Sequence, residues 1–481
     1  MAHTETGAPG VLSGHAASRD PAGSDRRRWL VVGALALAQL MLVVDVTVAN
    51  VALPDIATSL DLTRGAASWV ITAYALMLGG FMLLGGRVAD LYGARRVMLA
   101  GLTVFVGASV AAALSWDAGS LLTARAVQGL GAAFLSPAAL AAVTTTFSGA
   151  DRHKALGVWG AVGAVGASIG VLLGGLLTAG PGWRWIFLVN APIGLVVLAV
   201  VLAAVPATAA RRSEPLDVTG AVLVTAASGL GVFGLTRVAD AGSLSVASAG
   251  LLLGSLALYA AFVVVERRVA SPLVPPALLA DRRVLTGSLV MLASSALLVG
   301  LFFLMSFTLQ GELGWSALRT GVAFLPMAVG ALVGAHAASR AVIAVGPRVV
   351  GPSALGLTAA ALALAAVGAD TVPVLLAGVG VASVGLGAGF VTATTTALGR
   401  RDHATAGVAS GLVNTFHELG GGLGVAALSG AVAAGGVAGQ AGPGFRTGLW
   451  AMAAVAAALG LVGVWVIPRG RVAPGAVRFG H

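Results

Sequence analysis

Residues 26–51 read RRRWLVVGALALAQLMLVVDVTVANV. Three arginines open a run in which the polar residues are Gln39, Asp45, Thr47 and Asn50. At 1.5 Å per residue, the stretch from Trp29 to Val51 reaches about 35 Å as a helix. That crosses a hydrocarbon layer of about 30 Å. A secretory leader also places arginines before an apolar run, but its apolar core is shorter. Here, too, many equally long runs come after it.

Those runs fall at 29–51, 66–88, 96–115, 120–147, 154–178, 184–204, 216–236, 245–265, 284–309, 318–340, 346–367, 372–397, 404–434 and 445–467. They predict an all-α polytopic membrane protein with fourteen spans. Composition agrees. Of 481 residues, 58% are hydrophobic and 10% charged, with a mean hydropathy of +0.97. An ordinary soluble domain is about 25% charged, so the chain holds too few charges to solvate a soluble enzyme. Disordered, collagenous and coiled-coil classes are excluded as well. The absence of cysteine removes disulfides, thiolate metal sites and thiol catalysis. A net charge of +10 would suit nucleic acid only as a basic face. The basic residues instead come in twos and threes between apolar runs.

Their distribution orients the chain. With the N-terminus cytoplasmic, 22 of the 28 basic residues fall in inner segments. Only Arg64, Arg184, Arg237, Arg319 and Arg446 fall outside, and Arg125 lies within a span. One miscounted span would invert every later loop, so the asymmetry supports an even count with both termini cytoplasmic. The expected location is the plasma or inner membrane. Trp69, Trp116, Trp183, Trp185 and Trp315 mark the outer boundaries. An internal repeat accompanies the count. Thr144, Thr145 and Thr146 recur 250 residues later as Thr394, Thr395 and Thr396. Gly157, Val158, Gly170 and Gly174 match Gly407, Val408, Gly420 and Gly424 at the same offset. The chain thus divides into a tail at 1–28, a six-helix half at 29–204, two linker helices at 205–283, a second six-helix half at 284–467 and a tail at 468–481. Two six-helix halves suit a rocking transporter.

Several motifs carry a family resemblance. MLVVDVTVANVALP (41–54) closes span 1, GRVADLYGARR (86–96) links spans 2 and 3, and LTARAVQGLGAA (122–133) lies in span 4. WRWIFLVNAPIG (183–194) and GVASGLVNTFHELGGGLG (407–424) come next in order. Together they resemble the major facilitator superfamily, in its fourteen-spanner drug/proton antiporter branch. The resemblance covers about residues 30–467. It implies export of hydrophobic or cationic drug-like molecules in exchange for protons, and a proton-coupling role for Asp45. The span-5 motif departs from the family. GAVGASIGVLLGG (163–175) carries Val171 where a proline is usual. Its glycine ridge, Gly166, Gly170 and Gly174, remains at spacing four and permits close helix packing. The missing proline keeps a proton symporter or uniporter of a metabolite as an alternative. A membrane sensor or structural protein is the alternative from another class.

Three charges lie inside spans. Asp45 sits about 9 Å from the outer end of span 1. Burial there disfavours the charged carboxylate, which suits a proton carrier; the alternative is a satisfied structural carboxylate. Arg125 lies about 6 Å into span 4, close in depth to Asp45. The two form either a switchable pair or a permanent salt bridge. Gln128, one turn deeper, lines a substrate cavity or packs. Glu418 lies about 20 Å from the inner end of span 13, where other members tend to have an amide. It draws a cationic substrate or a second proton, or is a neutral core carboxyl. Asn414 and His417 stand beside it as cavity candidates. His417 has no second ligand at metal spacing, so no metal site is expected.

Gly86, Asp90, Gly93, Arg95 and Arg96 form a tight cytoplasmic turn. Asp90 is expected to accept from a facing helix N-terminus and to bond Arg95 or Arg96. By resemblance, this turn latches the inner gate. Arg340, Gly346 and Arg348 form a degraded copy without the acid. Asn190 and Pro192 interrupt span 6, with Asn190 read as a bond across helices. His336 is read as structural or water-facing. GLGVFG (229–234) fits a dinucleotide fingerprint and GASIG (166–170) a serine elbow. Both sit mid-helix without their required context. No phosphate loop is present, so the expected energy source is a proton gradient, with no cofactor. Expected partners are drug-like molecules, protons and lipid, with no nucleic acid, in a monomer that is not an enzyme.

Overall fold

The computed structural model describes residues 21–147, 149–205, 215–399, 403–433 and 442–468. The tail readings at 1–20 and 469–481, and Arg211, Arg212, Arg400 and Arg401, lie outside them. So do the side chains of Thr144 and Thr145. The described residues form helices and turns, with no strand among them.

The first half comprises α1 (Pro21–Ser59), α2 (Arg64–Tyr92), α3 (Ala94–Ala113), α4 (Ala118–Thr146), α5 (Gly149–Ala179), α6 (Trp185–Leu188) and α7 (Asn190–Ala204). The central pair is α8 (Val218–Ala241) and α9 (Val246–Glu266), with the short α10 (Pro276–Leu279) after it. The second half comprises α11 (Arg282–Phe307), α12 (Ala317–Ala323), α13 (Leu325–Val345), α14 (Pro347–Val367), α15 (Val372–Leu398), α16 (His403–Ala433) and α17 (Pro443–Val466). Among the described residues, 12 helical stretches are long and apolar enough to cross a membrane. α5 and α16, 31 residues each, run beside them and complete fourteen.

Prolines explain the broken spans. Pro192 has no N–H to give Leu188, and the sixth span divides into α6 and α7 just there. Pro326 likewise withholds a bond from Val322, and α12 stops before α13. α1 continues through Pro54. The second break was not expected from the sequence. Between α2 and α3, Gly93 holds φ at 92° and the chain reverses in one residue. Gly346 does the same between α13 and α14 at φ 85°. A side chain is strained at such φ values.

The halves repeat each other in packing. α1 packs on α5 as α11 packs on α16, α2 on α4 as α13 on α15, and α3 on α4 as α14 on α15. Gly170 and Gly174 of α5 face Val44 and Val48 of α1. Gly420 and Gly424 of α16 face Leu292 and Ala296 of α11. Thr146 returns its hydroxyl to Ala142 O, and Thr396 to Thr392 O, each at 2.6 Å. The offset of 250 residues is therefore a structural repeat. α8 and α9 pack together, and α8 leans on both α2 and α16.

One large core joins the two halves at the end away from the arginine-rich loops. It runs from Val48 and Val51 through Val171 to Leu301, Phe324 and Leu386. Toward the arginine-rich end, the apolar clusters stay within a half or gather where α2, α8 and α16 meet. Trp116 is exposed as a boundary residue should be, whereas Trp183 is buried under the Arg184 guanidinium, 4.4 Å from its ring.

Candidate functional site

The polar centre lies inside the first half. Asp45 of α1 is 2% exposed, and Arg125 of α4 is 0%. Arg125 Nη1 donates to Asp45 Oδ2 at 2.6 Å. The opposite oxygen, Oδ1, accepts from Gln128 Nε2 at 2.7 Å and from Asn190 Nδ2 at 2.8 Å. Gln128 also donates to Ser109 Oγ at 2.8 Å and accepts from Arg125 Nη1 at 2.6 Å. Arg125 Nε donates to the Val70 carbonyl at 2.9 Å. Three helices thus meet at the carboxylate, and α2 and α3 join the network one bond further out.

The physical logic is charge satisfaction. A buried charge pair is tolerated only when its remaining lone pairs and protons find partners. Three donors meet the Asp45 carboxylate, an acceptor-only group when ionised. The Arg125 guanidinium also lies 4.3 Å from the Tyr74 ring centre and 5.6 Å from that of Phe187. Such a cation–π contact contributes when desolvated. Two atoms stay unpartnered in this centre, Arg125 Nη2 and Tyr74 Oη. At the repeat offset of 250, Leu375 and Gly378 stand where Arg125 and Gln128 would be. The centre exists in one half alone.

The structure brings Asp45 and Arg125 together as their depths suggested. It places Gln128 in this network, 0% exposed, and not on a cavity wall: both polar ends of its amide are already used. Asn190 bonds across helices as read. Ser109 and Tyr74 were missed, because a serine or tyrosine in an apolar span carries no distinguishing pattern. Asp217 and Glu266 were missed too. They are buried at the arginine-rich ends of α8 and α9, where Asp217 accepts from Gly220 N at 2.7 Å and Glu266 from Val274 N at 3.2 Å.

Glu418 occupies a different place. It lies on the seam between halves, and a Cβ on Gly79 of α2 would come 3.0 Å from its own Cβ. Gly411 and Gly422 on the same face of α16 meet Leu83 and Thr72 of α2. Asn414 is exposed one turn away. His417 is half-buried, edge-on to the Phe390 ring at 5.3 Å. Among the described residues, no group of three metal-ligating side chains occurs.

The arginine-rich turn is formed but not latched as expected. Asp90 is exposed and makes no hydrogen bond or ion pair among the described residues. Arg95 does not reach it. Its Nη2 donates instead to the Leu202 carbonyl at the end of α7, at 2.7 Å, where a helix terminus favours a cation. Gly86 faces Pro137 at van der Waals distance, and Arg96 is exposed. In the second half, His336 and Arg340 are exposed.

The glycine ridge seats α5 on the opposite face of α1 from the ion pair. A Cβ on Gly166 would lie 3.0 Å from Val43 Cγ1, and one on Gly174 would lie 3.1 Å from Val48 Cα. Gly170 abuts Thr47. α5 runs unbroken through Val171, and the Val171 carbonyl abuts Gly321 of α12. Here α5 meets α12 backbone to backbone.

A bundle of fourteen helices in two repeated halves, with charges buried in one of them, defines a multi-pass membrane protein of the transporter type. Residues 35–425 match the Major Facilitator Superfamily, and the chain belongs to it. It is 39% identical over 423 residues to the puromycin resistance protein pur8 of Streptomyces alboniger, covering 85% of this chain and 82% of that one. It is 37% identical to the cephamycin export protein CmcT of Amycolatopsis lactamdurans, covering 81% and 82%. The fold also matches the crystal structure of a bacterial homolog of the human lysosomal transporter Spinster. That match has a TM-score of 0.66 at 16% identity and covers 93% of this chain and 99% of that one.

Proposed function

We propose that the chain exports hydrophobic or cationic drug-like molecules in exchange for protons, by alternating access. The observation that carries this is the Asp45 carboxylate, buried and ion-paired inside a span. Such groups are rare in membranes and mark ion pathways. Relatives named for antibiotic resistance and export support the direction. In this reading the arginine-rich loops and both termini face the cytoplasm, and the plasma or inner membrane holds the protein. A proton gradient is the energy source, with no cofactor, and one chain suffices.

The coupling route runs through α1. Asp45 and Arg125 share one half, so rocking of the halves does not by itself part them. A proton on Asp45 removes an acceptor from the network and weakens the pair. α1 then shifts against α4, and the glycine ridge passes that shift to α5, whose far end meets α12. The substrate site is the space between halves beside Asn414, His417 and Glu418. Drug and proton must oppose each other for exchange to occur. Drug uptake into inverted vesicles tests this. It should collapse with an uncoupler and in Asp45→Asn. Uptake that ignores the proton gradient sinks antiport and favours the second reading, a uniporter, which the proline replacement at Val171 supports.

A further inference from the structure

The ion pair lies within one half; among the described residues, a polar contact that does cross between halves sits at the end away from the arginine-rich loops. α11 does not stop as an α-helix there. Residues Thr308–Glu312 form a π turn, in which Leu313 N reaches back to Thr308 O at 2.9 Å. The turn closes the C-terminal end of α11, and the chain leaves the helix after it. Gln310 lies in the middle of the turn. Its Nε2 donates to the Val51 carbonyl of α1 in the other half, at 2.8 Å, and to Ser306 Oγ of its own helix, at 3.1 Å.

We propose that Gln310 is a latch residue that holds this end of the transporter closed. The bond to Ser306 aims the amide, and the bond to Val51 spans the seam. The acceptor is suitably placed. Pro54 withholds its bond from the Asn50 carbonyl, so the hydrogen-bond ladder of α1 is already broken next to Val51. The acceptor is backbone and moves only with α1, so separation of α1 from α11 breaks the contact. Around it the seam is apolar and tight. Gly175 of α5 lies against the Ala317 carbonyl, where a Cβ would come 2.8 Å away, and Gly321 lies against the Val171 carbonyl. Among the described residues these apolar and backbone contacts are non-directional, so the amide gives the closed state its register. When the end opens, Gln310 keeps Ser306 and takes water, which leaves a reversible latch.

The reading rests on alternating access with this end outward. The protein's lack of cysteine makes a clean test. Ala317→Cys places a thiol at a buried position where α12 meets α5, and Val246→Cys places one at a 93% exposed position on the same side. Intact cells are treated with a membrane-impermeant maleimide. In Gln310→Leu, which fills similar space without donors, labelling at position 317 should rise about threefold to tenfold. That is the population shift expected from losing one net hydrogen bond. Gln310→Asn, polar but too short to reach Val51, should do the same, while labelling at 246 stays constant. Unchanged labelling at 317 in both variants overturns the latch. If position 246 reacts only in inverted vesicles, the orientation is wrong, and the same comparison made from that face decides the latch independently.

Discussion

Arg125 reaches Asp45 across 2.6 Å, and both belong to the same half of the molecule. The pair is therefore an internal strut of that half, and its two ends should be strongly coupled. Removing one partner of a buried pair costs about 3–5 kcal/mol, because the other charge is left unpaired. Asp45→Asn and Arg125→Gln should each lower the thermal stability of the detergent-solubilised protein by that order. The double variant should recover most of the loss, since a neutral amide network can satisfy Gln128, Asn190 and Ser109. It should still not export against a gradient. Additive losses in the melting data would show that the two residues do not act as a pair.

Glu418 faces α2 across the seam and makes no hydrogen bond among the described residues. If Glu418 acts on cationic substrates as proposed, its carboxylate must discriminate by substrate charge. At about 4 Å and an effective dielectric near 20, the attraction for a cation is about 4 kcal/mol. Glu418→Gln should lower efflux of a monocationic drug tenfold or more, and leave a neutral drug of similar size within about twofold. Paired efflux assays on the two drugs check this. Equal losses for both would make Glu418 a packing residue.

The fold was legible because each span carries its own apolar run, and arginines mark alternate loops. The charges inside spans were legible for the same reason: a lone Asp45 or Arg125 in an apolar run stands out, and depth along a helix is simple arithmetic. What was not legible is which faces meet. Ser109, Tyr74, Gln128 and Asn190 gather around the Asp45–Arg125 pair from four helices, and no spacing along the chain encodes that convergence. Asn190 had a signal in the nearby Pro192; Ser109 had none. The turn from Gly86 to Arg96 shows the converse. Its residues promised an Asp90 latch, but the charge of Arg95 is taken by the Leu202 carbonyl at the end of α7.

Asp117 starts α4 with a capping box. It accepts from Ser120 N at 2.7 Å, and the Ser120 hydroxyl accepts from Asp117 N at 3.2 Å. The Ser120 N–H on the carboxylate, and then the Ser120 hydroxyl beside it, hold that carboxyl below its ordinary value of about 3.9. A lowered value in the folded state stabilises above the unfolded value, and the benefit is lost as pH falls through the folded value. Protection of the amides in the first turn of α4, taken relative to intrinsic exchange at each pH, should therefore hold from neutral pH down to about 4, then fall under stronger acid. Asp117→Asn keeps an accepting oxygen and should flatten this dependence. Asp117→Ala should show low protection throughout.

The glycine ridge makes two different promises in the two halves. A Cβ at 170 would overlap the Thr47 hydroxyl, and one at 424 would overlap the Ala296 carbonyl. The Thr47 side chain is bonded to its own helix, to Val43 O at 3.1 Å and Val44 O at 3.0 Å, so it is replaceable. The Ala296 carbonyl is backbone and is not. Overpacking of this kind costs about 1–3 kcal/mol. Gly170→Ala should lower stability and export, and Thr47→Ala should restore part of both. Recovery stays partial because Thr47 Cβ would still be 2.8 Å from the new methyl group. Gly424→Ala should be the more severe lesion, since no side chain stands in the way to be trimmed and α16 must move off α11 as a whole. Melting curves and vesicle transport for the four variants check the pair of claims. Full rescue of Gly424→Ala by a neighbouring side-chain truncation would show that α11 and α16 are not held backbone to backbone.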